Sequence, residues 1–196
     1  GSFVPNAART VLGCDGAGVV ESVGAEVRQF RPGDAVFFCS GGLGGDRGNY
    51  AEYAIVDEQD AVHKPAQLSF AAAAAAPLVL ITAWEALYDR ARLDRHQRVL
   101  IHAGAGGVGH VAIQLAKLRD AQVATTISSE AKAQFATHFG ADHCIYYHRM
   151  DFVNAVMAWT DSKGVDVAFD TVGQAVFSNT FRAVKFMSRT CGKMHT

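Results

Sequence analysis

Two patterns of apolar spacing divide this chain near residue 76. Up to about residue 66, short valine-rich runs alternate with glycine-rich punctuation. Ala17–Val23 reads as a strand broken by Gly24. Ala35–Cys39 reads as a second, after the turn Arg31-Pro32-Gly33-Asp34. Tyr50–Val56 reads as a third, after the glycine-rich loop 40–48. From Ser69 the pattern turns helical. Phe70–Ala76 has high helix propensity, and Pro77 starts or kinks a segment running through Leu87. From Val99 strands and helices alternate. The pattern predicts strand Val99–His102, helix Val108–Leu118 and strand Gln122–Ile127. A helix capped near Ser128 or Ser129 and ended by Gly140 follows. Strand Cys144–Tyr147, helix Asp151–Thr160, strand Val165–Asp170 and helix Ala175–Phe186 complete the series, and Lys193–Thr196 looks like the start of a fifth strand. The expected class is therefore α/β: a β-domain portion over 1–76, then a doubly wound parallel sheet over 77–196.

Composition agrees with a packed core, with 49% hydrophobic and 19% charged residues in 196. The net charge of −1 gives no electrostatic reason to expect nucleic acid. The longest apolar stretch, Phe70–Ala83, contains Pro77 and is too short to span a bilayer, so no membrane is expected. Cys14, Cys39, Cys144 and Cys191 lie far apart in sequence, which suits buried thiols in a reducing, cytoplasmic setting rather than a disulfide framework.

The chemistry concentrates at Gly104-Ala105-Gly106-Gly107-Val108-Gly109. Gly104, Gly106 and Gly109 fit G-x-G-x-x-G between an apolar strand and a helix. That turn lets backbone N–H groups approach a pyrophosphate at the positive end of a helix. A tight turn without a ligand is the alternative.

Six blocks resemble the medium-chain dehydrogenase/reductase superfamily, and within it the zinc-independent quinone oxidoreductase branch. They are Leu12–Val20, Phe30–Val36, Tyr50–Tyr53, Pro77–Leu87, the glycine motif with its flanks, and Val165–Gly173. They stand in the family's order and cover almost the whole chain. The resemblance implies a partial GroES-like catalytic domain and a Rossmann cofactor domain. It also implies that both are cut: a segment is expected before residue 1, and further Rossmann strands after residue 196. A homodimer joined through the sheet edge is implied as well, by a strand expected beyond residue 196.

The related alcohol dehydrogenases usually carry His-Glu where this chain has Cys14-Asp15. Catalytic zinc needs three protein ligands and an open position, so no zinc is expected here. For the cofactor, the end of the second Rossmann strand carries Ser128-Ser129 and no acid before Glu130. An acid there would hold a ribose diol. Ser128 and Lys132 resemble the family's 2′-phosphate site, which favours NADPH over NADH, and Tyr147 matches a position near the adenosine ribose. A solvated helix face is the other reading of Lys132. His148 stands where the family commonly has arginine. Thr82 matches a threonine near the nicotinamide, and Val172, Gly173 and Gln174 should line the nicotinamide cleft. No catalytic residue is identified; Thr82, Tyr50 and Tyr53 are the candidates. His102 reads better as a satisfied core group than as a base.

The expected function is NADPH-dependent hydride transfer to a small-molecule quinone or α,β-unsaturated carbonyl. The rivals are a zinc-type alcohol dehydrogenase and a cofactor-binding structural or regulatory protein with little turnover.

Overall fold

A computed structural model describes residues 11–41 and 48–192, the side chains of 186–188 excepted. Two compact units divide between Val79 and Leu80.

The first unit is built on β1 (Asp15–Val19), β2 (Ala35–Cys39) and β3 (Ala61–His63). These form one antiparallel sheet in the order β1-β2-β3. The Asn49 side-chain amide donates to the Cys14 and Ser40 carbonyls, at 2.8 Å each, and ties the strand ends together. Helix α1 (Phe70–Ala74) starts where Ser69 Oγ accepts the Ala72 N–H at 3.1 Å. Helix α2 (Pro77–Trp84) starts on a proline, which has no N–H to satisfy. The next N–H, of Leu78, donates to Asp15 Oδ1 at 2.8 Å. No strand spans Tyr50–Val56. Residues 51–55 are all exposed, and no described strand lies alongside to complete their ladder. Strand-prone composition marks a chain that could pleat, but a strand also needs a partner.

The second unit alternates β4 (Arg98–Ile101), α3 (Gly107–Leu118), β5 (Gln122–Ile127), α4 (Glu130–His138), β6 (His143–Tyr146), α5 (Phe152–Trp159), β7 (Val165–Asp170), α6 (Phe177–Thr180) and β8 (Val184–Gly192). Its five parallel strands lie in the order β6-β5-β4-β7-β8. The sheet is buried on both faces, which explains near-continuous apolar runs instead of alternation. Successive β4 residues feed opposite cores. Val99 and Ile101 pack with Leu87, Ile113, Val123 and Val167. Leu100 packs with Ile145, Phe152, Val153 and Val156. Ser129, not Ser128, caps α4, and Gly140 takes the left-handed φ of +107° just past it. Asp151 caps α5 by accepting the Asn154 N–H at 2.9 Å.

The helix expected over Ala175–Phe186 is much shorter. After α6 and one 3₁₀ turn (Phe181–Ala183), the chain is already strand at Val184. Pairing with β7, from Val165↔Val184 to Asp170↔Gly192, overrides local helix propensity there. The fifth strand is thus β8; Lys193–Thr196 lies outside the described residues. All four cysteines are free thiols, but half-buried rather than buried. No helix among the described residues is long and apolar enough to cross a membrane.

Leu100 is fully buried at the centre of the sheet. Leu100→Ala should cost about 2–5 kcal/mol, read by urea unfolding. A loss below about 1 kcal/mol would mean that this core is looser than its burial indicates.

Candidate dinucleotide site

In the parallel sheet the strand order reverses between β4 and β7, and ligands of such sheets gather at the carboxyl ends of the strands at that point. The chain leaves β4 through His102 and Ala103 into the glycine turn. Ala103 holds φ +51°, the left-handed region that non-glycine residues seldom occupy. Its N–H donates to Thr126 Oγ1 at 3.0 Å, and the Gly104 N–H donates to the Thr126 carbonyl at 3.3 Å. The Gly106 N–H closes the turn on the Ala103 carbonyl at 2.8 Å.

The glycines are there for contact. A Cβ on Gly104 would overlap Thr125 Oγ1 and lie 2.9 Å from Ile113 Cδ1. A Cβ on Gly109 would overlap the Ala103 carbonyl oxygen, which is backbone and cannot step aside. On Gly106 it would stand 3.1 Å from that same oxygen, a milder crowding. The packing brings α3 down onto β4 with Gly106 as its N-cap and no acidic residue in the first turn. By helix geometry the N–H groups of Gly107, Val108 and Gly109 lack intrahelical acceptors, so this end suits an anion.

The other sequence-predicted residues stand after neighbouring strands. Ser128 follows β5 and is half-buried; Lys132 is exposed in the first turn of α4. Tyr147 follows β6, half exposed, its ring 4.2 Å from that of His148. Val172, Gly173 and Gln174 follow β7. There Asp170, fully buried, accepts the Val172 and Gly173 N–H groups on Oδ1, both at 2.8 Å. Its Oδ2 is buried with no hydrogen-bond partner among the described residues. Gly104, Ala105, Gly106, Gly107, Val108, Gly109, Ser128, Tyr147, Val172, Gly173 and Gln174 thus all lie past carboxyl ends of strands in one parallel sheet. Thr82 lies elsewhere, half-buried in α2. Tyr50 and Tyr53 belong to the first unit, where they are 78% and 75% exposed, and the Tyr50 ring lies against Gly13.

Two side-chain hydrogen bonds near these strand ends escape the sequence reading. Glu130 Oε2 accepts the Tyr146 hydroxyl at 2.6 Å, which holds that phenol above its ordinary pKa. Thr125 donates to the Ile101 carbonyl at 2.6 Å beneath the turn. The signal available for Thr125 and Thr126 was two adjacent hydroxyls in a strand buried from Val123 to Ile127.

His102 is fully buried and neutral; burial drives its pKa down to about 4, against a smaller opposing pull from Asp170. A cavity of about 840 Å³ lined by Leu80, Ile81, Trp84, Glu85, Asp89, Arg90 and Leu115 lies elsewhere, not at the strand ends. It borders a π-helical turn, Glu85–Arg90, whose wider i→i+5 turn brings Arg90 within 2.7 Å of Glu85 five residues back.

By their side-chain chemistry, the described residues of the first unit do not group as metal ligands. Among the described residues no three His, Cys, Asp or Glu side chains are grouped to hold an ion. Burial, reinforced by Asp15, holds the Cys39 thiol protonated with a pKa of about 11, whereas zinc binds thiolate. Asp15 is committed to the Leu78 N–H.

Residues 2–66 match the family model described as the alcohol dehydrogenase GroES-like domain, and residues 107–191 match that of the zinc-binding dehydrogenases. A quinone oxidoreductase of Pseudomonas aeruginosa is 37% identical over 173 residues, 88% of this chain. The chain spans about half of that relative, 52%. An alcohol dehydrogenase superfamily protein from Novosphingobium aromaticivorans superposes with a TM-score of 0.89 at 40% identity, over 95% of this chain and 57% of that one. The Escherichia coli quinone oxidoreductase complexed with NADPH superposes at 0.86 and 28% identity, over 99% of this chain and 61% of that one.

Gly109→Ala should abolish dinucleotide binding and destabilise the fold, while Gly106→Ala should be tolerated better; NADPH titration and thermal unfolding would reveal equal effects if the contact argument is wrong. Acid should also cost stability. Because the folded pKa of His102 lies below its unfolded value of 6.5, the unfolded chain takes up the extra proton as pH falls from 6.5 towards 4. Urea unfolding at pH 7 and pH 5 should differ by about 2 kcal/mol from this residue, with the higher stability at pH 7.

Proposed function

The chain belongs to the medium-chain dehydrogenase/reductase superfamily, in its quinone oxidoreductase-like branch, and on that premise we propose that it acts as an NADPH-dependent oxidoreductase reducing quinones or α,β-unsaturated carbonyls. The observation that carries this reading is the glycine turn at the strand-order reversal, packed so closely that only a backbone-lined seat remains. When bound, the nicotinamide cofactor supplies the hydride. We take residues 1–76 as the catalytic-domain portion and 77–196 as the cofactor domain.

The chain's own part is to bind, orient and exclude water. The first-turn N–H groups of α3 receive the pyrophosphate without a cation, so the charge is met by dipoles already fixed in place. Lys132 and Ser128 take the 2′-phosphate, the lysine as a charged donor and the serine as a short neutral one. Tyr147 flanks the adenosine ribose. Val172, Gly173 and Gln174 line the nicotinamide half, the first two held there by Asp170 through their N–H groups. Thr82 is assigned to the nicotinamide end of the site. Because the described residues do not fit zinc, no step passes through a metal. Quinones and activated alkenes suit such a site, since they accept hydride without a Lewis acid on their oxygen.

Lys132→Ala should weaken NADPH binding about tenfold or more, the worth of one charge-assisted hydrogen bond, and leave NADH nearly unchanged. Fluorescence titration with both cofactors reads the difference. Equal losses for the two would remove Lys132 from the 2′-phosphate, and no binding of either by the unmodified chain would overturn the proposed function.

A further inference from the structure

Beneath the turn lies a set of buried polar side chains that the proposed function does not use. His102, Thr126 and Thr180 are 0%, 4% and 0% exposed. The directions of their hydrogen bonds can be worked out. Thr180 Oγ1 donates its single proton to the Val176 carbonyl at 2.9 Å. Towards His102 Nε2, 3.0 Å away, it must therefore accept. The proton of the neutral imidazole is then on Nε2, and Nδ1 is bare. Nδ1 accepts from Thr126 Oγ1 at 3.3 Å, and Thr126 Oγ1 in turn accepts the Ala103 N–H at 3.0 Å. At the far end, the Val176 N–H donates to the Gly173 carbonyl at 3.0 Å. Phe152 packs edge-on against the imidazole, ring centres 4.8 Å apart, and fixes its plane.

We propose that His102 is a positioning residue. Through one directed chain of hydrogen bonds it couples the left-handed Ala103 at the head of the glycine turn to Val176 and Gly173 beyond β7, so that the two ends of the dinucleotide seat are set together. Packing alone would be served by a leucine; a leucine would leave the Thr126 hydroxyl without its acceptor and the Thr180 oxygen without its donor. The proposal rests on the turn being the dinucleotide seat.

The decisive variants lie at the far end of the chain of bonds, away from the turn. Thr180→Val keeps the shape and removes the acceptor for Nε2–H; Thr180→Ser restores it. Thr160→Val is the control. Thr160 is equally buried and also donates to a carbonyl four residues back, Val156 at 2.8 Å, but it has no link to His102. The first readout is amide hydrogen exchange at Ala103 in the unliganded 196-residue chain. Thr180→Val should speed it at least fivefold, Thr180→Ser should return it to the unmodified rate, and Thr160→Val should leave it unchanged. The second readout is NADPH affinity, which should fall at least fivefold in Thr180→Val and recover in Thr180→Ser. Nitrogen NMR of the histidines should show a bare Nδ1 on His102. Ala103 exchange within twofold of unmodified in Thr180→Val, or a protonated Nδ1, would overturn the coupling. If the unmodified chain takes up no NADPH, the proposed function fails, while the exchange and tautomer results still decide the coupling.

Discussion

Everything at this site depends on how closely the turn after β4 lies on the end of β5. Ala103 and Gly104 rest on Thr125 and Thr126, with hydrogen bonds from both backbone N–H groups to Thr126 and no room for a Cβ on Gly104. That contact sets where α3 begins. The start of α3 sets where its unbonded N–H groups point, and those groups are the positive charge that the proposed pyrophosphate seat offers. A turn lifted by the thickness of one methyl group would still be a turn, but its helix end would face another place.

The same closeness explains why polar side chains are buried among the apolar residues of the sheet. Thr125, Thr126, His102 and Asp170 stand at strand ends, with Thr180 at the end of α6, where the backbone leaves its ladder and its N–H and carbonyl groups need other partners. Asp170 meets two N–H groups, Thr125 meets the Ile101 carbonyl, and Thr171 meets the His102 carbonyl at 2.8 Å. These side chains finish the hydrogen bonding that β4 and β7 can no longer provide for themselves. Only Asp170 Oδ2 is left over among the described residues.

Sequence carried the parallel sheet well and the antiparallel unit less well. β5 and β7 match their predicted bounds because strands buried on both faces are continuous apolar runs, ended by a change of composition. Tyr50–Val56 misled because its strand-prone residues after a glycine-rich loop are real while its partner is absent among the described residues. The helix over Ala175–Phe186 misled because a long-range pairing with β7 outweighed local preference. At the site, the glycines were legible from spacing, since each answers a local geometric demand. The Thr126–His102–Thr180 set was not: its members lie 24 and 78 residues apart along the chain, and nothing in the spacing of a threonine and a histidine marks them as neighbours.

That separation bears on the order in which the molecule is made. β4, α3 and β5 are consecutive, so a chain emerging from synthesis holds the glycine turn and its Thr126 floor early. The inner side of β4 must wait for β7, which reaches it across 68 residues, from the Arg98 N–H to Asp166 at 2.8 Å, and Thr180 comes later still. Until then the His102 imidazole faces an unfinished wall. The turn is therefore shaped from its β5 side first and closed from its β7 side last, and a nascent chain that stops short of residue 180 carries the glycine motif without the partner of His102 Nε2.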